Sequence, residues 1–226
     1  MDFVANSAVV PASHAPRVEF SDYTIIAFVQ KGGWGTVYSS RRNRDGKLFA
    51  MKFFGYTERQ PGIADIASEI SLMLSLKGIS GVIQLEGVFN DTPAGLIPGK
   101  NKRFLQPYLV IVMEMVEGGE LYTRIEKRAS SGAIVTERFI ALMFRSAMIA
   151  LQGIHSRQYV HRDLKLDNLL LTSDADDSQA KIIDFGLMVR LEPGQVLFRG
   201  PRSGTAGRCR QTDPHAVDDL HIITVY

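Results

Sequence analysis

The alternation of apolar and polar positions divides the first half of the chain into short strands around one helix. From Phe20 onward, runs of strand-forming residues alternate with glycine-containing turns. In RRNRDGKLFAMKFF the dipeptide Asp45-Gly46 marks a hairpin between two such runs. Two further strand candidates follow, VIQLEGVF and LVIVMEM. The pattern predicts a small antiparallel sheet.

Two segments have the spacing of amphipathic helices. The first follows Pro61 and Gly62 and reads IADIASEISLMLSL. The second begins at Thr136-Glu137, a residue pair typical of helix starts. Its apolar residues at helical spacing are Phe139, Met143, Phe144, Ala147, Met148, Leu151 and Ile154. We expect this second helix to be buried, with its methionines in the core.

The composition is that of an ordinary globular protein. Of the 226 residues 45% are hydrophobic and 22% are charged, and the net charge is +2. Such a balanced charge argues against nucleic acid or an anionic membrane as the main partner. The longest apolar runs, LVIVMEMV and IALMF, are too short to span a bilayer, so we expect no membrane segment.

The single cysteine and the amino-terminal sequence bear on the compartment. Cys209 alone can form neither an intramolecular disulfide nor a zinc framework, which suits a reducing intracellular compartment, cytoplasmic or nuclear. The start, MDFVANSAVVPASHAP, lacks the basic and continuous apolar regions of a secretory signal. Its proline, serine and alanine content predicts a flexible leader over residues 1–19.

Two polar motifs in the second half carry the candidate chemistry. They are HRDLKLDN at 161–168 and DFG at 184–186. Phosphoryl transfer from a metal nucleotide requires a group that positions a hydroxyl and ligands that hold the metal. Asp163, Asn168 and Asp184 are residue types that suit these tasks. The two motifs in this order resemble the eukaryotic protein kinase signature set.

The glycine-rich segment VQKGGWGTVY at 29–38 resembles the kinase phosphate loop GxGxxGxV. Gln30 occupies the position of the first glycine, which should reduce the flexibility of the loop without abolishing nucleotide binding. By itself such a turn is equally typical of an ordinary hairpin. The resemblance implies nucleotide contacts from Gly32, Gly33, Gly35 and Val37.

FAMK at 49–52 resembles the strand whose lysine pairs the α and β phosphates, a role that the resemblance assigns to Lys52. Glu69, in the first predicted helix, matches the glutamate that forms an ion pair with this lysine. A glutamate at such a position is otherwise a solvated charge, since glutamate is rarely buried unless paired. We expect a Lys52–Glu69 ion pair.

MEMVEGGEL at 113–121 resembles the hinge that binds adenine in kinases. The resemblance implies hydrogen bonds to the base from the backbone around Glu114 and Val116, and a gatekeeper position for Met113. Ala50 and Val37 would cover the ring. The implied nucleotide is ATP.

The resemblance also assigns the catalytic roles. Asp163, whose ordinary pKa of about 3.9 makes it a weak base, would orient the incoming hydroxyl and accept its proton late. Lys165 would neutralise the γ-phosphoryl oxygens, and Asn168 and Asp184 would hold Mg²⁺. The spacing DLKxxN resembles serine/threonine kinases, so we expect a serine or threonine acceptor.

Two weaker inferences concern regulation and substrate. Arg162 resembles the arginine of kinases whose activation segment is ordered by a phosphate, with Ser203 as the candidate site. A structural ion pair for Arg162 and simple exposure for Ser203 are equal alternatives. Glu120 and Asp167 match acidic positions that face basic residues of protein substrates.

The resemblance ends after GTAG, where Thr205 matches a threonine of serine/threonine kinases. The APE triplet expected next does not follow, and we interpret the chain as a kinase domain truncated after the activation segment. The tail is either native or a gene-model artefact. The predicted fold is α+β and bilobal, with a small lobe of antiparallel sheet plus one helix and an incomplete, mainly helical large lobe. The predicted segments are a leader (1–19), the kinase N-lobe (20–113), the hinge and partial C-lobe (114–207) and a divergent tail (208–226).

Two functions follow as hypotheses. The first is a protein serine/threonine kinase that uses ATP and Mg²⁺. The alternative is a catalytically impaired kinase-like module that binds nucleotide or acts as a scaffold. A small-molecule phosphotransferase is disfavoured, because HRDLKLDN, DFG and GTAG together resemble protein kinases specifically.

Overall fold

The chain forms two compact units. The computed structural model describes residues 11–32, 35–54, 63–89, 109–175, 177–191, 197–198 and 222–223. The first unit comprises Met1–Lys77 and Ile83–Val116, and the second comprises Gly78–Val82 and Glu117–Tyr226.

The first unit contains a five-stranded antiparallel sheet and one helix, α1. The strand order is β1-β2-β3-β5-β4. The elements are β1 (Tyr23–Gly32), β2 (Gly35–Arg42), β3 (Leu48–Phe54), α1 (Ile63–Ser75), β4 (Leu85–Phe89) and β5 (Leu109–Glu114). The small antiparallel sheet with one helix that the sequence predicts is confirmed.

The predicted β2–β3 hairpin is also confirmed. Gly46 has a φ of 72°, which is why glycine suits this position, and its N–H donates to the Arg42 carbonyl at 2.8 Å. The Arg42 guanidinium donates to Asp45 at 2.6 Å. This hydrogen bonding lowers the pKa of Asp45 to about 2.

The two faces of the sheet carry different residues, because successive side chains on a strand point to opposite sides. One face is an aromatic core, in which Tyr38 and Phe53 pack edge to face at 5.4 Å. The members of this core are Phe20, Tyr23, Tyr38, Phe49, Met51, Phe53, Phe89, Val110 and Val112. The strand register puts Val37, Ala50, Lys52, Ile111 and Met113 together on the other face.

Residues 11–20, which we call the N-terminal strap, pack against the first unit. The Val18 N–H donates to the Val88 carbonyl at 3.3 Å, and the Val88 N–H donates to the Pro16 carbonyl at 2.9 Å. Phe20 is buried and packs edge to face on Phe89 with ring centroids 5.0 Å apart. The flexible leader predicted over residues 1–19 is therefore ordered in its second half, because β4 offers its free backbone groups to the strap.

Among its described residues, the second unit contains two α-helices and three short antiparallel strand pairs. The pairs are β6 with β9, β7 with β8, and β10 with β11. The elements are α2 (Leu121–Ser130), α3 (Glu137–Ser156), β6 (Tyr159–Val160), β7 (Leu169–Leu171), β8 (Ala180–Ile182), β9 (Val189–Arg190), β10 (Leu197–Phe198) and β11 (Ile222–Ile223). The start predicted for α3 is confirmed, since the Phe139 N–H donates to the Thr136 hydroxyl oxygen at 3.2 Å.

Helix α3 is buried on one face only. That face contains Phe139, Met143, Ala147, Ala150 and Ile154. Phe144 and Met148 are 63% and 47% exposed, so the prediction that they belong to the core is wrong. They lie on the side of the helix away from this buried stripe.

By length and composition, α3 is the one helix in the described part of the chain that could cross a membrane. Core helices of soluble proteins also meet this criterion, and 28% of this helix's most apolar window is buried inside the structure.

The segment Gly78–Val82, which the sequence assigned to the N-lobe, packs in the second unit instead. The Ile182 N–H donates to the Gly81 carbonyl at 2.8 Å. A Cβ at Gly81 would lie 2.9 Å from that of Ala150, so the backbone here is in close contact with α3. The boundary at the other end lies between Val116 and Glu117.

Candidate active site

The sheet face opposite the aromatic core carries four of the nine residues predicted to bind nucleotide. Ala50 of β3 is paired with Met113 of β5, and Val37 of β2 is paired with Lys52 of β3. Directly opposed residues on neighbouring strands share a face, so these four side chains form one surface of the first unit. An apolar surface next to an ammonium group suits a planar base followed by phosphates.

Lys52 and Glu69 form the ion pair that the sequence predicts. The Lys52 Nζ atom lies 2.6 Å from Glu69 Oε1, and the two side chains are only 17% and 15% exposed. Helix α1 places Glu69 beside Ile66 and Ile70, which are buried. The Glu69 carboxylate is thus largely shielded from water, and a charged group in such a place is unfavourable without a partner of opposite charge.

The glycine-rich segment joins β1 to β2. Gly32 is the last residue of β1 and Gly35 the first of β2, while Gly33 lies outside the described residues. A Cβ at Gly35 would lie 2.5 Å from the Phe53 carbonyl oxygen. Only glycine permits this close approach between β2 and β3.

The predicted hinge begins with a paired contact between Glu114 and Gln84. The Glu114 N–H donates to the Gln84 carbonyl at 3.0 Å, and the Gln84 N–H donates to Glu114 Oε1 at 2.9 Å. The backbone N–H of Glu114 is therefore engaged within the protein. Contacts with a base would use other backbone groups of residues 114–116, and the predicted roles of Glu114 and Val116 stay predictions.

Gly118 and Gly119 lead the chain into α2. The Gly118 N–H donates to the Leu171 carbonyl at 2.8 Å, and a Cβ at Gly118 would lie 2.4 Å from that oxygen. Gly119 has a φ of 73°.

The HRD segment forms a hydrogen-bonded cluster in the second unit. Lys165 Nζ lies 2.8 Å from Asp163 Oδ2, and the Asp163 side chain is 15% exposed. Asn168 Nδ2 donates to the Asp163 carbonyl at 2.8 Å and to Asp163 Oδ2 at 3.3 Å. The structure thus brings together three of the predicted residues, with one carboxylate oxygen contacted by both an ammonium and an amide.

Backbone conformation fixes the direction of the two motifs. Arg162 has a φ of 68° and Asp184 a φ of 64°, a region that residues other than glycine rarely adopt. A residue keeps such a strained conformation only where the surrounding structure imposes it, and such residues cluster at functional sites. Arg162 directly precedes Asp163, and Asp184 is itself a predicted metal ligand.

Asn168 and Asp184 lie near one end of the β7–β8 pair. The Ile183 N–H, one residue before Asp184, donates to the Asn168 carbonyl at 3.0 Å. Asp184 Oδ1 accepts from the Gly186 N–H at 3.2 Å. Because the Asn168 amide nitrogen donates to Asp163, the side-chain oxygen of Asn168 remains as its acceptor group.

One carboxylate and one amide oxygen fit a hard divalent cation whose other ligands are water and phosphate oxygens. Across the described ranges, no group of three or more His, Cys, Asp or Glu residues could hold a metal on its own. A metal bound by these two groups would need further ligands, which water and phosphate oxygens can supply.

His161 and Phe185 form the apolar backing of these motifs. Their ring centroids are 6.1 Å apart in an edge-to-face arrangement, and both residues are buried. The Asp163 N–H donates to His161 Nδ1 at 3.4 Å. Burial lowers the pKa of His161 below its ordinary value, so the neutral ring is favoured.

Four further positions were predicted to act in regulation or substrate binding. Ser203 and Thr205 lie outside the described residues. Glu120 and Asp167 are partly exposed, and Glu120 Oε2 accepts from the Thr123 hydroxyl at 3.3 Å.

Sequence reasoning missed two residues that contact the site. Gln84 holds Glu114, and the ring of Phe54 lies 4.8 Å from the Lys52 ammonium. The signal for Phe54 was its spacing, two residues from Lys52 on one strand. No sequence signal indicated Gln84.

Comparison with known proteins agrees with this geometry. The family model described as protein kinase domain matches residues 23–205. The chain therefore belongs to the protein kinase domain family. Members of this family use ATP and a divalent metal. The resemblance to protein kinases that the motifs indicate is confirmed.

Similar proteins include plant enzymes named as calcium-dependent protein kinases. Calcium-dependent protein kinase 29 of Arabidopsis thaliana is 29% identical over 85% of this chain and 33% of its own length. Calcium-dependent protein kinase 6 of Oryza sativa subsp. japonica is 32% identical, with 77% of this chain and 29% of the relative covered. Calcium-dependent protein kinase 4 of Solanum tuberosum is 31% identical over 77% and 28%, respectively. The chain spans about a third of the length of these curated relatives.

Proposed function

We propose that this chain is a protein serine/threonine kinase domain that transfers the γ-phosphoryl group of ATP to hydroxyl groups of protein substrates. The observation that carries the proposal is the Asp163 cluster, in which Lys165 and Asn168 both contact Oδ2 of one carboxylate. A carboxylate held in this way can orient a hydroxyl, and positioning is the main contribution that phosphoryl transfer needs from a protein.

Each residue of the cluster has a distinct task in this proposal. Asp163 accepts a hydrogen bond from the substrate hydroxyl. As the hydroxyl oxygen bonds to the γ-phosphorus and the bond from that phosphorus to the β-phosphate oxygen breaks, releasing ADP, Asp163 takes the hydroxyl proton. Lys165 offsets the negative charge on the transferred group. The serine/threonine preference rests on the DLKxxN spacing.

The first unit holds the nucleotide. Lys52, fixed by Glu69, binds the α and β phosphates. Val37 and Ala50 cover the base, and Met113 is the gatekeeper. Asn168 and Asp184 supply an amide oxygen and a carboxylate for Mg²⁺, which neutralises charge on the triphosphate when bound. Glycine at position 35 keeps the loop close to β3.

The proposed substrates are proteins with basic residues near the target hydroxyl. Glu120 and Asp167 support this, because both are partly exposed acids. Glu120 directly precedes α2, and Asp167 lies on a 3-10 turn in contact with α2. We also propose an intracellular location, cytoplasmic or nuclear, on the basis of the single cysteine.

The test is transfer of radioactive phosphate from γ-labelled ATP to a basic serine peptide. Asp163→Asn should lower the rate about 100-fold or more, because general acid–base groups contribute at least that much. Asp177→Asn, the same change at an exposed aspartate, is the matched control and should have no effect. Wild-type protein that binds Mg·ATP but transfers nothing would instead support the nucleotide-binding scaffold.

A further inference from the structure

The ring of Phe54 contacts the same ammonium group that Glu69 binds. Lys52 Nζ lies 4.8 Å from the ring centroid of Phe54 and 2.6 Å from Glu69 Oε1. An ammonium within about 6 Å of an aromatic centroid is attracted by the negative potential of the ring face. The lysine head is therefore held by two different interactions, one ionic and one with a ring.

The strand geometry explains this arrangement. Lys52 and Phe54 are two residues apart on β3 and so point to the same face of the sheet. Phe54 is 1% exposed and its backbone is paired with Leu109 of β5. The ring is thus fixed in place, whereas a lysine side chain has four rotatable bonds and loses much freedom when held.

The same ring also lies next to the glycine-rich segment. A Cβ at Gly35 would be 3.7 Å from Phe54 Cδ1, which is van der Waals distance. Phe54 therefore lies close to the lysine proposed to bind phosphates and to the Cβ direction of Gly35, the first residue of β2.

We propose that Phe54 is a positioning residue for Lys52, whose ammonium it holds for the nucleotide phosphates by the potential of its ring face. The proposal rests on the proposed role of Lys52 in nucleotide binding. It requires that the electronic character of the ring matters, beyond its size.

The test replaces Phe54 with 3,4,5-trifluorophenylalanine, which keeps an apolar ring of nearly the same shape but removes the negative potential of its face. Phe54→Leu serves as the second variant. We expect both changes to raise the Kd of Mg·ATP roughly 2- to 30-fold, the range that corresponds to a cation–π contact. The KM for ATP should rise in parallel, with kcat nearly unchanged.

Phe53 provides a matched control on the same strand. It is equally buried, but its ring packs on Tyr38 in the aromatic core. The trifluorinated residue at position 53 and Phe53→Leu should leave the Kd of Mg·ATP within about 2-fold, whatever they do to thermal stability. An equal rise in Kd from position 53 would overturn the proposal.

A third readout needs neither nucleotide nor turnover. In the wild type, the ring current of Phe54 should shift the Lys52 ε-methylene protons upfield in NMR spectra, and Phe54→Leu should abolish the shift. Protein that shows this shift and binds Mg·ATP without transferring phosphate would refute the proposed function alone. An unshifted wild-type signal, or a Kd unaffected by fluorination at 54, would refute the role of Phe54.

Discussion

Single residues in this protein are held in position by specific partners. Lys52 is the clearest case, since the ammonium contacts Glu69 and lies near the ring of Phe54. Asp163 is similar, because Lys165 and Asn168 fix its carboxylate. The motifs indicated the Lys52–Glu69 ion pair, because a lysine and a glutamate at these motif positions have opposite charges that can pair. Phe54 was missed, since an aromatic two residues from a lysine is an ordinary strand pattern.

Removal of the Glu69 charge tests the ion pair. Glu69→Gln should lower the free energy of unfolding by about 3 kcal/mol, because it leaves the largely buried Lys52 ammonium without its countercharge. Chemical denaturation measures this change. Glu126→Gln, an identical change at an exposed glutamate of α2, is the control. Equal stability of the two variants would contradict the account.

The buried His161 predicts a pH dependence of stability. Burial lowers the pKa of His161 in the folded protein, so the unfolded chain binds the proton more tightly. Stability is then fully present above the ordinary histidine pKa of about 6.5 and decreases as the pH falls below it. The contribution is at most about 1.4 kcal/mol per pH unit.

Urea unfolding at pH 7.0 and pH 5.5 measures this dependence. The difference in the free energy of unfolding between pH 7.0 and pH 5.5 should be smaller in His161→Gln than in the wild type. His14→Gln, at an exposed histidine, should keep the wild-type difference. Burial also lowers the pKa of His155, so a smaller dependence should remain, and a dependence as large in His161→Gln as in the wild type would refute the assignment.

At the scale of elements, the hydrophobic pattern predicted which segments form helices and strands but not which faces they bury. In α3 the apolar residues occur on more than one side, so periodicity alone could not separate Met143, which is buried, from Met148, which is exposed. The strap was missed for a related reason. Its proline-rich and serine-rich sequence is typical of flexible segments, whereas its order comes from backbone pairing with Val88, which composition cannot reveal.

The two methionines of α3 form a matched pair for mutation. Met143→Ala should lower the free energy of unfolding by about 2–5 kcal/mol, because it opens a cavity in the core. Met148→Ala, on the exposed side of the helix, should change it by less than about 0.5 kcal/mol. Thermal or urea unfolding distinguishes the two, and similar losses would contradict the assigned helix orientation.

The strap is tested at Gly87. A Cβ at this position would lie 2.6 Å from Val18 Cγ1 and 2.7 Å from the Pro16 carbonyl oxygen. Gly87→Ala should therefore displace the strap and increase amide hydrogen exchange at Val18 and Val88, whose N–H groups bond across this contact. Gly132→Ala, where a Cβ would meet no atom within 4 Å, is a control for glycine loss in general. Unchanged exchange at Val18 and Val88 in Gly87→Ala would show that the strap does not pack as described.

At the scale of the whole molecule, the two units each contain part of the kinase chemistry. The first unit presents the Lys52 face of the sheet, and the second presents the Asp163 cluster with Asn168 and Asp184. Gly78–Val82 belongs to the second unit through contacts that are distant in sequence, such as the hydrogen bond from the Ile182 N–H to the Gly81 carbonyl, which sequence motifs cannot indicate. The protein kinase domain model matches residues 23–205, which include parts of both units.

The most direct measurement is the rate of γ-phosphoryl transfer from ATP to a basic serine peptide at increasing Mg²⁺ concentration. The account predicts transfer that requires the metal, stops on chelation and is lost in Asp163→Asn. Folded wild-type protein that shows no metal-dependent transfer at millimolar Mg·ATP would contradict the claim that this chain is a protein kinase.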